Sequence, residues 1–384
     1  MKLLWRLRLP VHLSNAFGTP FHGCRYSSTK TSNPLRILFC GSDEFSIASL
    51  RAVHDEHLRN PDAIASIDVV HRPGKRTGRG LKLVREVPIK RVAEELKLNT
   101  HEIDTFTGWK PPVHQNEPIN LIVAVSFGLF VPPRILNGAE YGGLNIHPSL
   151  LPDLRGPAPI RHTLLLRRQK TGVTLQTLHP KHFDQGMVLA QTPYPGLEIP
   201  NRDTCTPAQL LNFVAPLGGQ MLVEALRNRV FVHPLKNVGW YGKNTPEPEL
   251  KNAPKIQKED SRINWDTWTA DEILLRNRVL GDLWDDITWR KSISDESIDH
   301  TSLPSKRTIF HEFESPQSTH IGKPSKTGNS FFYVVTHENP PKTLRVTSCT
   351  IEGGKKGAGN SEILSNLRKS TEGSAATHLR RIEM

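Results

Sequence analysis

The sequence predicts an α/β domain followed by a small β-barrel, and three observations carry that expectation. Residues 121–125 have the continuous hydrophobicity of a strand covered on both faces, 35–41 read as a buried-type strand and 144–146 as a short apolar one, with helical spacing between them. Residues 234–254 are polar and rich in proline, the composition of a linker. Beyond them, strand-like pieces around Ile287, Ile309, 331–335 and 344–347 alternate with turn-rich segments, which favours a small barrel.

Bulk properties narrow the field. A chain of 384 residues can hold two domains with real cores. Its net charge of +12 points to an anionic partner, nucleic acid ahead of membrane. No apolar run reaches the ~18 residues that a bilayer span needs. Cys24, Cys40, Cys205 and Cys349 lie far apart without a CxxC, so neither a zinc site nor a disulfide framework is indicated. Residues 1–33 carry Lys2, Arg6, Arg8, Arg25 and Lys30, while the first carboxylate is Asp43. A basic, acid-free, Ser/Thr-bearing start is the pattern of a mitochondrial presequence, with cleavage near Ser27. A basic arm that binds RNA directly is the alternative.

In chain order, the strand at 35–41 ends in a glycine turn, and Ser42 or Asp43 can cap a helix from 44 to about 53. No GxGxxG follows, so a dinucleotide site is unsupported. A strand near 67–71 leads into RPGKRTGRGLKLVREVP, where Arg72, Lys75, Arg76, Arg79, Lys82 and Arg85 are set among glycines against the single acid Glu86. Such a stretch reads as a mobile, electropositive loop suited to following phosphates. A merely solvated loop is commoner for such a composition, but the glycine interleaving and the position at a sheet edge favour nucleic acid. Residues 88–97 have helical spacing, and 121–125 reads as a central strand leaving through Ser126–Phe130. A helix over 160–168 and a strand over 174–178 follow, then a loop, 179–186, that carries Asp184. Residues 206–229 are helical in pattern, with Pro216 expected to kink or split them, and a short helix falls within 265–280. The Ser/Pro/Lys-rich stretch 291–329 reads as a largely disordered insertion.

The chemistry centres on GGLNIHPSLLPDLRGPAP at 142–159. Strand alternation over 144–147 puts Asn145 and His147 on one face, and Pro148 and Pro152 force the chain out as a stiff loop. A carboxamide and an imidazole then sit side by side at a strand's C-terminal end, where open α/β sheets place their sites. Together with Asp184 they suit acyl transfer without a covalent nucleophile: donors for an oxyanion, and a carboxylate to orient the imidazole or take a proton. A lone histidine in a loop is more often a surface group, but the pair and the carboxylate downstream outweigh that. No GxSxG is present.

The series NIHPSLLP, then RG, then DQG about thirty residues on, resembles the 10-formyltetrahydrofolate-dependent formyltransferases. Within them, ILFCGSDEFS, the RPGKRTGRGLKL loop, LIVAVSFGLFVP, KIQKEDSRINW and the late GGKKG resemble the methionyl-tRNA formyltransferases, over roughly residues 35–370. NIHPSLLP is shared across the superfamily; the basic loop and KIQKEDSRINW are what narrow the match. The resemblance implies a Rossmann-like catalytic domain over 34–232, a linker at 233–254 and an OB-like, tRNA-binding barrel over 255–384. It implies catalytic roles for Asn145, His147 and Asp184, and folate contacts at Phe127, Gly128, Ser149, Leu150, Leu151 and Pro152. It also implies tRNA contacts at Arg72, Lys75, Arg76, Arg79 and Lys82 of the loop and at Lys355 and Lys356. Pro148, Phe127 and Gln185 stand where bacterial members more often have glycine, tyrosine and threonine. The implied reaction moves a formyl group from 10-formyltetrahydrofolate to the α-amine of methionyl initiator tRNA, without metal, in a monomer of the mitochondrial matrix. Two alternatives stay open: a formyltransferase or deformylase acting on a small metabolite, and a non-catalytic RNA-binding protein on the same scaffold.

Overall fold

The computed structural model describes residues 30–241, 249–288, 305–315, 331–364 and 382–383. The catalytic half begins with β1 (Leu35–Gly41), α1 (Glu44–Arg59) and β2 (Ile64–His71). A hairpin of β3 (Lys75–Thr77) and β4 (Leu83–Arg85) follows, then α2 (Pro88–Glu95) and β5 (Asn99–Glu102). A two-residue ladder, β6 (Val113–His114) with β7 (Glu117–Pro118), precedes β8 (Leu121–Val125), α3 (Pro133–Leu136), β9 (Gly143–His147) and α4 (Pro159–Leu165). The chain continues through β10 (Lys170–Thr171), β11 (Thr174–Thr177), β12 (Val188–Gln191), β13 (Leu197–Glu198) and α5 (Pro207–Arg227).

Seven strands form one sheet in the order β12-β11-β9-β8-β1-β2-β5. From β9 to β5 the neighbours are parallel, whereas β11 is antiparallel to both β9 and β12. Alternation along β1 feeds two cores. Ile37 and Phe39 join the cluster under α1 and α5, and Leu38 and Cys40 join the opposite cluster with Ile122 and Phe127. Every residue of β8 is buried, as its unbroken apolar run requires. The parallel strands thus deliver their C-terminal ends to one edge, where the site lies.

Several elements differ from the sequence expectation. The basic stretch after β2 is an antiparallel hairpin rather than a mobile loop, pairing Lys75 with Arg85 and Thr77 with Leu83. Gly78 and Gly80, at φ of 78° and 72°, make its turn in a region that side chains disfavour. Pro216 does not split α5, which runs unbroken for 21 residues from a reciprocal Thr206–Gln209 cap. Pro216 and Asn212 lie on the exposed side of that helix, where water can satisfy the released carbonyl. Helix α1 continues to Arg59, β5 is a strand that its polar NTHE composition concealed, and β12 is a strand of only four residues, VLAQ, that the sequence reading did not assign.

The C-terminal half comprises α6 (Ala270–Leu280), β14 (Leu283–Thr288), β15 (Ser305–Glu314), β16 (Phe332–Val335), β17 (Thr343–Ile351) and β18 (Ile382–Glu383). These strands form an antiparallel sheet in the order β14-β15-β17-β16-β18, with register shifts between β15 and β17 that curl it. Among the described residues β14 and β18 do not pair, so the sheet is an open half-barrel where a closed barrel was expected. Within the stretch 291–329, residues 305–315 are described and hold β15; its other residues lie outside the described ones, as do residues 1–29 of the expected presequence. Helix α6 serves both halves: Leu275 and Val279 belong to the catalytic core, Ala270 and Ile273 to the C-terminal one.

Candidate active site

Asn145 and His147 occupy the end of β9, flanked by β8 on one side and β11 on the other. The antiparallel register sets Gln176 of β11 directly opposite Asn145. Opposed residues project to the same face, so the two carboxamides meet. The Gln176 Nε2 donates to Asn145 Oδ1 at 3.0 Å and to Asp184 Oδ1 at 3.1 Å. Its Oε1 accepts the Gly186 N–H at 3.0 Å. Gln176 is 2% exposed and engages both amide hydrogens and its oxygen. One buried side chain therefore ties a strand end to the loop that carries the carboxylate.

Asp184 sits between β11 and β12 at φ 54°, a left-handed conformation that aspartate tolerates better than most residues. Its Oδ2 accepts the Gly156 N–H at 2.9 Å, and its own carbonyl accepts Arg155 Nε at 2.9 Å. Gly186, two residues on, passes so close to β11 that a Cβ there would lie 1.7 Å from the Thr177 carbonyl. The glycine of DQG is thus a packing requirement that brings Asp184 back over the sheet.

His147 is 5% exposed. Its Nε2 lies 3.0 Å from the Leu154 carbonyl and its Nδ1 is 3.4 Å from Asp184 Oδ1. A carbonyl only accepts, so Nε2 carries the hydrogen in that contact. Both ring nitrogens thus face acceptor oxygens. The Asn145 Nδ2 donates to the Ala124 carbonyl at 2.9 Å. Its second amide hydrogen has no partner among the described residues and is free to polarise an oxygen brought to this half-buried position. The structure therefore gathers Asn145, His147 and Asp184, with Asn145 as the free donor and the imidazole committed to Leu154 and Asp184.

Of the residues implied for folate contact, Phe127, Ser149 and Leu151 are buried. Phe127 packs edge-on to Phe106, and the Ser149 hydroxyl donates to the Asp153 carbonyl at 2.7 Å. These three offer backbone or ring edge rather than free side chains, while Leu150 and Pro152 are half-buried and Gly128 is exposed. Among the described residues no group of three or more His, Cys, Asp or Glu could hold a metal ion, and no helix is long and apolar enough to cross a membrane.

The hairpin leaves the C-terminal end of β2, on the same sheet edge as the site. Lys75, Arg76 and Lys82 are exposed on it, with Leu81, Leu83 and Val84 exposed beside them. Arg79 opens its turn. Arg72 at the base is half-buried and paired with Asp104. Lys355 and Lys356 are exposed in the turn after β17, on the C-terminal half.

Sequence reasoning missed Gln176, Leu154, Arg155 and Gly156. The signal for Gln176 was its alternation with Thr174 on an apolar strand, a glutamine pointing into a core. Leu154 and Gly156 act through backbone groups that leave no side-chain signature.

Comparison with known proteins places the chain in a family. The formyl transferase family profile matches residues 35–226. The mitochondrial methionyl-tRNA formyltransferase of Saccharomyces cerevisiae is 32% identical over 345 residues, covering 79% of this chain and 82% of that protein. The mitochondrial human enzyme of the same name is 33% identical over 261 residues, covering 68% of this chain and 60% of its own length. The methionyl-tRNA formyltransferase of Ehrlichia chaffeensis is 35% identical over 206 residues, covering 53% of this chain and 63% of that protein. On the half-chain family match and the yeast relative's coverage, the chain belongs to the formyl transferase family and, within it, to the methionyl-tRNA formyltransferases.

Proposed function

We propose that the protein transfers a formyl group from 10-formyltetrahydrofolate to the α-amine of methionyl initiator tRNA, in the mitochondrial matrix and as a monomer. The observation that carries this reading is the joining of Asn145 to Asp184 through Gln176, with His147 against the same carboxylate, at the sheet edge from which a cationic hairpin also leaves. The relatives' names supply the substrate and the mitochondrion.

The folate donor supplies an amide-like formyl group on nitrogen, and the residues of the site fit its chemistry. Asn145 offers its free amide hydrogen to the formyl oxygen, whose negative charge grows as the amine attacks. Asp184, directly or through a water, takes the proton that the attacking nitrogen loses, with His147 against its carboxylate. It returns that proton to the departing nitrogen. One C–N bond forms, one breaks, and the proton count balances without metal. The backbone around 126–130 and the 149–152 turn flank this point and would hold the donor. The hairpin cations Lys75, Arg76, Arg79 and Lys82 would track the acceptor-stem phosphates, with Arg72 at their base. Lys355 and Lys356, on an OB-like half-barrel, would extend the same contact.

The test is formyl transfer to charged initiator tRNA by protein beginning near Ser27, alongside His147→Ala. Formyl-methionyl-tRNA from the wild type, and at least ~100-fold less from a variant that still binds tRNA, supports the reading. No product despite bound donor and bound tRNA would assign a different amine acceptor. No donor binding would leave an RNA-binding scaffold.

A further inference from the structure

We propose that residues 251–254, where the linker returns to the catalytic half, are a strap that positions His147 and Asp184 and so ties the reaction to the C-terminal half. This inference rests on the formyl-transfer reading.

The strap lies along the loop at 153–158 through an isolated parallel β-bridge between Arg155 and Asn252. The Leu154 N–H donates to the Lys251 carbonyl at 2.7 Å, and the Ala253 N–H donates to the Arg155 carbonyl at 2.6 Å. Asp153 closes the other end, where its Oδ1 accepts the Lys251 N–H at 3.0 Å and Arg168 Nη2 at 3.0 Å. Arg168 in turn donates to the Glu249 carbonyl at 3.0 Å.

The opposite side of the same loop holds the chemistry. The Leu154 carbonyl takes the His147 Nε2 hydrogen, and the Gly156 N–H fixes Asp184 Oδ2. The Leu154 carbonyl and the Gly156 N–H are thus each one residue or less from a strap contact. Leu154 has φ 60°, a left-handed conformation that ordinary L-residues disfavour. It persists because neighbouring bonds over-determine it, and the Lys251 carbonyl supplies the one to its own N–H. At Gly156, φ is 122° and a Cβ would lie 2.4 Å from the Ala253 carbonyl, so the two segments meet with no spare room. Downstream, α6 abuts α4, the helix that follows this loop, and Arg167, two residues past α4, pairs with Glu272 of α6 at 3.5 Å. A displacement of the C-terminal half therefore reaches the His147 carbonyl partner through backbone bonds.

The experiment compares Asp153→Ala with Asp153→Asn in single-turnover formyl transfer. Donor and charged tRNA are saturating, tRNA affinity is measured separately, and the temperature is well below every variant's unfolding transition. Asp153→Ala should lower the rate by ~10- to 100-fold, the scale set by misplacing a reacting group by about 1 Å. Its tRNA Kd should stay within about twofold of wild type. Asp153→Asn keeps the acceptor for the Lys251 N–H and should recover most of the rate. Arg168→Met, which frees the Asp153 end from the other side, should show the same split to a smaller degree, and it serves as the test if the alanine variant does not fold. An unchanged rate in Asp153→Ala and Arg168→Met, or a tRNA affinity falling in step with the rate, would overturn the strap. Absence of product from the wild type would instead overturn the formyl-transfer reading, and the strap with it.

Discussion

Replacing Gln176 with leucine tests whether the three reactive side chains work as one rigid unit. Leucine fills nearly the same volume, so the change removes hydrogen bonds and leaves no large cavity. Three bonds go: a donation to the Asp184 carboxylate, a donation to Asn145 Oδ1, and an acceptance from the Gly186 N–H. The first is charge-assisted, at ~1.5–3 kcal/mol, and the other two contribute ~0.5–1.5 kcal/mol each. Asp184 keeps the Gly156 N–H and Asn145 keeps the Ala124 carbonyl, so part of the network survives. A net loss of about 2–4 kcal/mol should lower Tm by about 5–15 °C for a domain of this size. The rate should fall further than folding does, because the Asn145 carboxamide and the Asp184 loop lose their common register. About 100-fold in single-turnover rate is expected, measured well below the transition. Gln176→Glu adds a second signature. It sets a carboxylate where Nε2 stood, 3.1 Å from Asp184 Oδ1, a repulsion of ~5 kcal/mol at an effective dielectric constant of 20. One proton taken up between the two carboxyl groups relieves it, so the activity of Gln176→Glu relative to wild type should rise as pH falls. A Gln176→Leu enzyme turning over within about threefold of wild type would refute the shared-network reasoning.

Two further predictions concern the hairpin and the helix pair. Arg79→Glu should weaken tRNA binding by ~10-fold or more at low salt and flatten the salt dependence, leaving donor affinity unchanged; an unaltered tRNA Kd would remove the hairpin from the interface. Between α1 and α5, the buried Glu56 accepts from Arg227 Nε at 2.9 Å and from Asn60 Nδ2 at 2.6 Å. The Arg227 hydrogen bonds hold its carboxyl below the ordinary value of 4.5. Because the folded-state value is depressed, the stabilisation is present above about 4.5 and is lost as pH falls through the folded value. Arg227→Ala should cost ~1–3 kcal/mol at neutral pH, less than a fully buried pair because the arginine is half-exposed. The Tm difference from wild type should shrink below pH 4.5, and a constant difference across that range would contradict the assignment.

What the sequence disclosed and what it hid follow from where each signal resides. The strands of the sheet centre were legible because burial on both faces leaves unbroken apolar runs, as in β1 and β8. Edge strands give no such run. Asn99–Glu102 reads NTHE and forms β5 only because β2 offers a free ladder edge. Pro216 misled for the complementary reason: its local cost was real, but a helix packed on α1 and the sheet tolerates it. The hairpin after β2 was hidden by its charge, since pairing at Lys75–Arg85 needs only backbone groups and two glycines in the turn.

The same distinction separates the candidate catalytic side chains from the groups that hold them. Asn145, His147 and Asp184 were legible because each is a reactive type in a suggestive local setting. Their supports are the Ala124 and Leu154 carbonyls and the Gly156 amide, which every residue type provides. Gln176 lies between these cases. It has a side-chain signature, yet its meaning depends on an antiparallel register that pairs it with Asn145, 31 positions away in sequence. An alanine scan shares this blindness, for Leu154→Ala keeps the carbonyl that orients His147. Perturbing such supports requires changing the backbone's path, through the glycine at 156 or the strap against it. Most of what holds this site in place is therefore backbone, the Ala124 and Leu154 carbonyls and the Gly156 amide, rather than the side chains by which the motif is recognised.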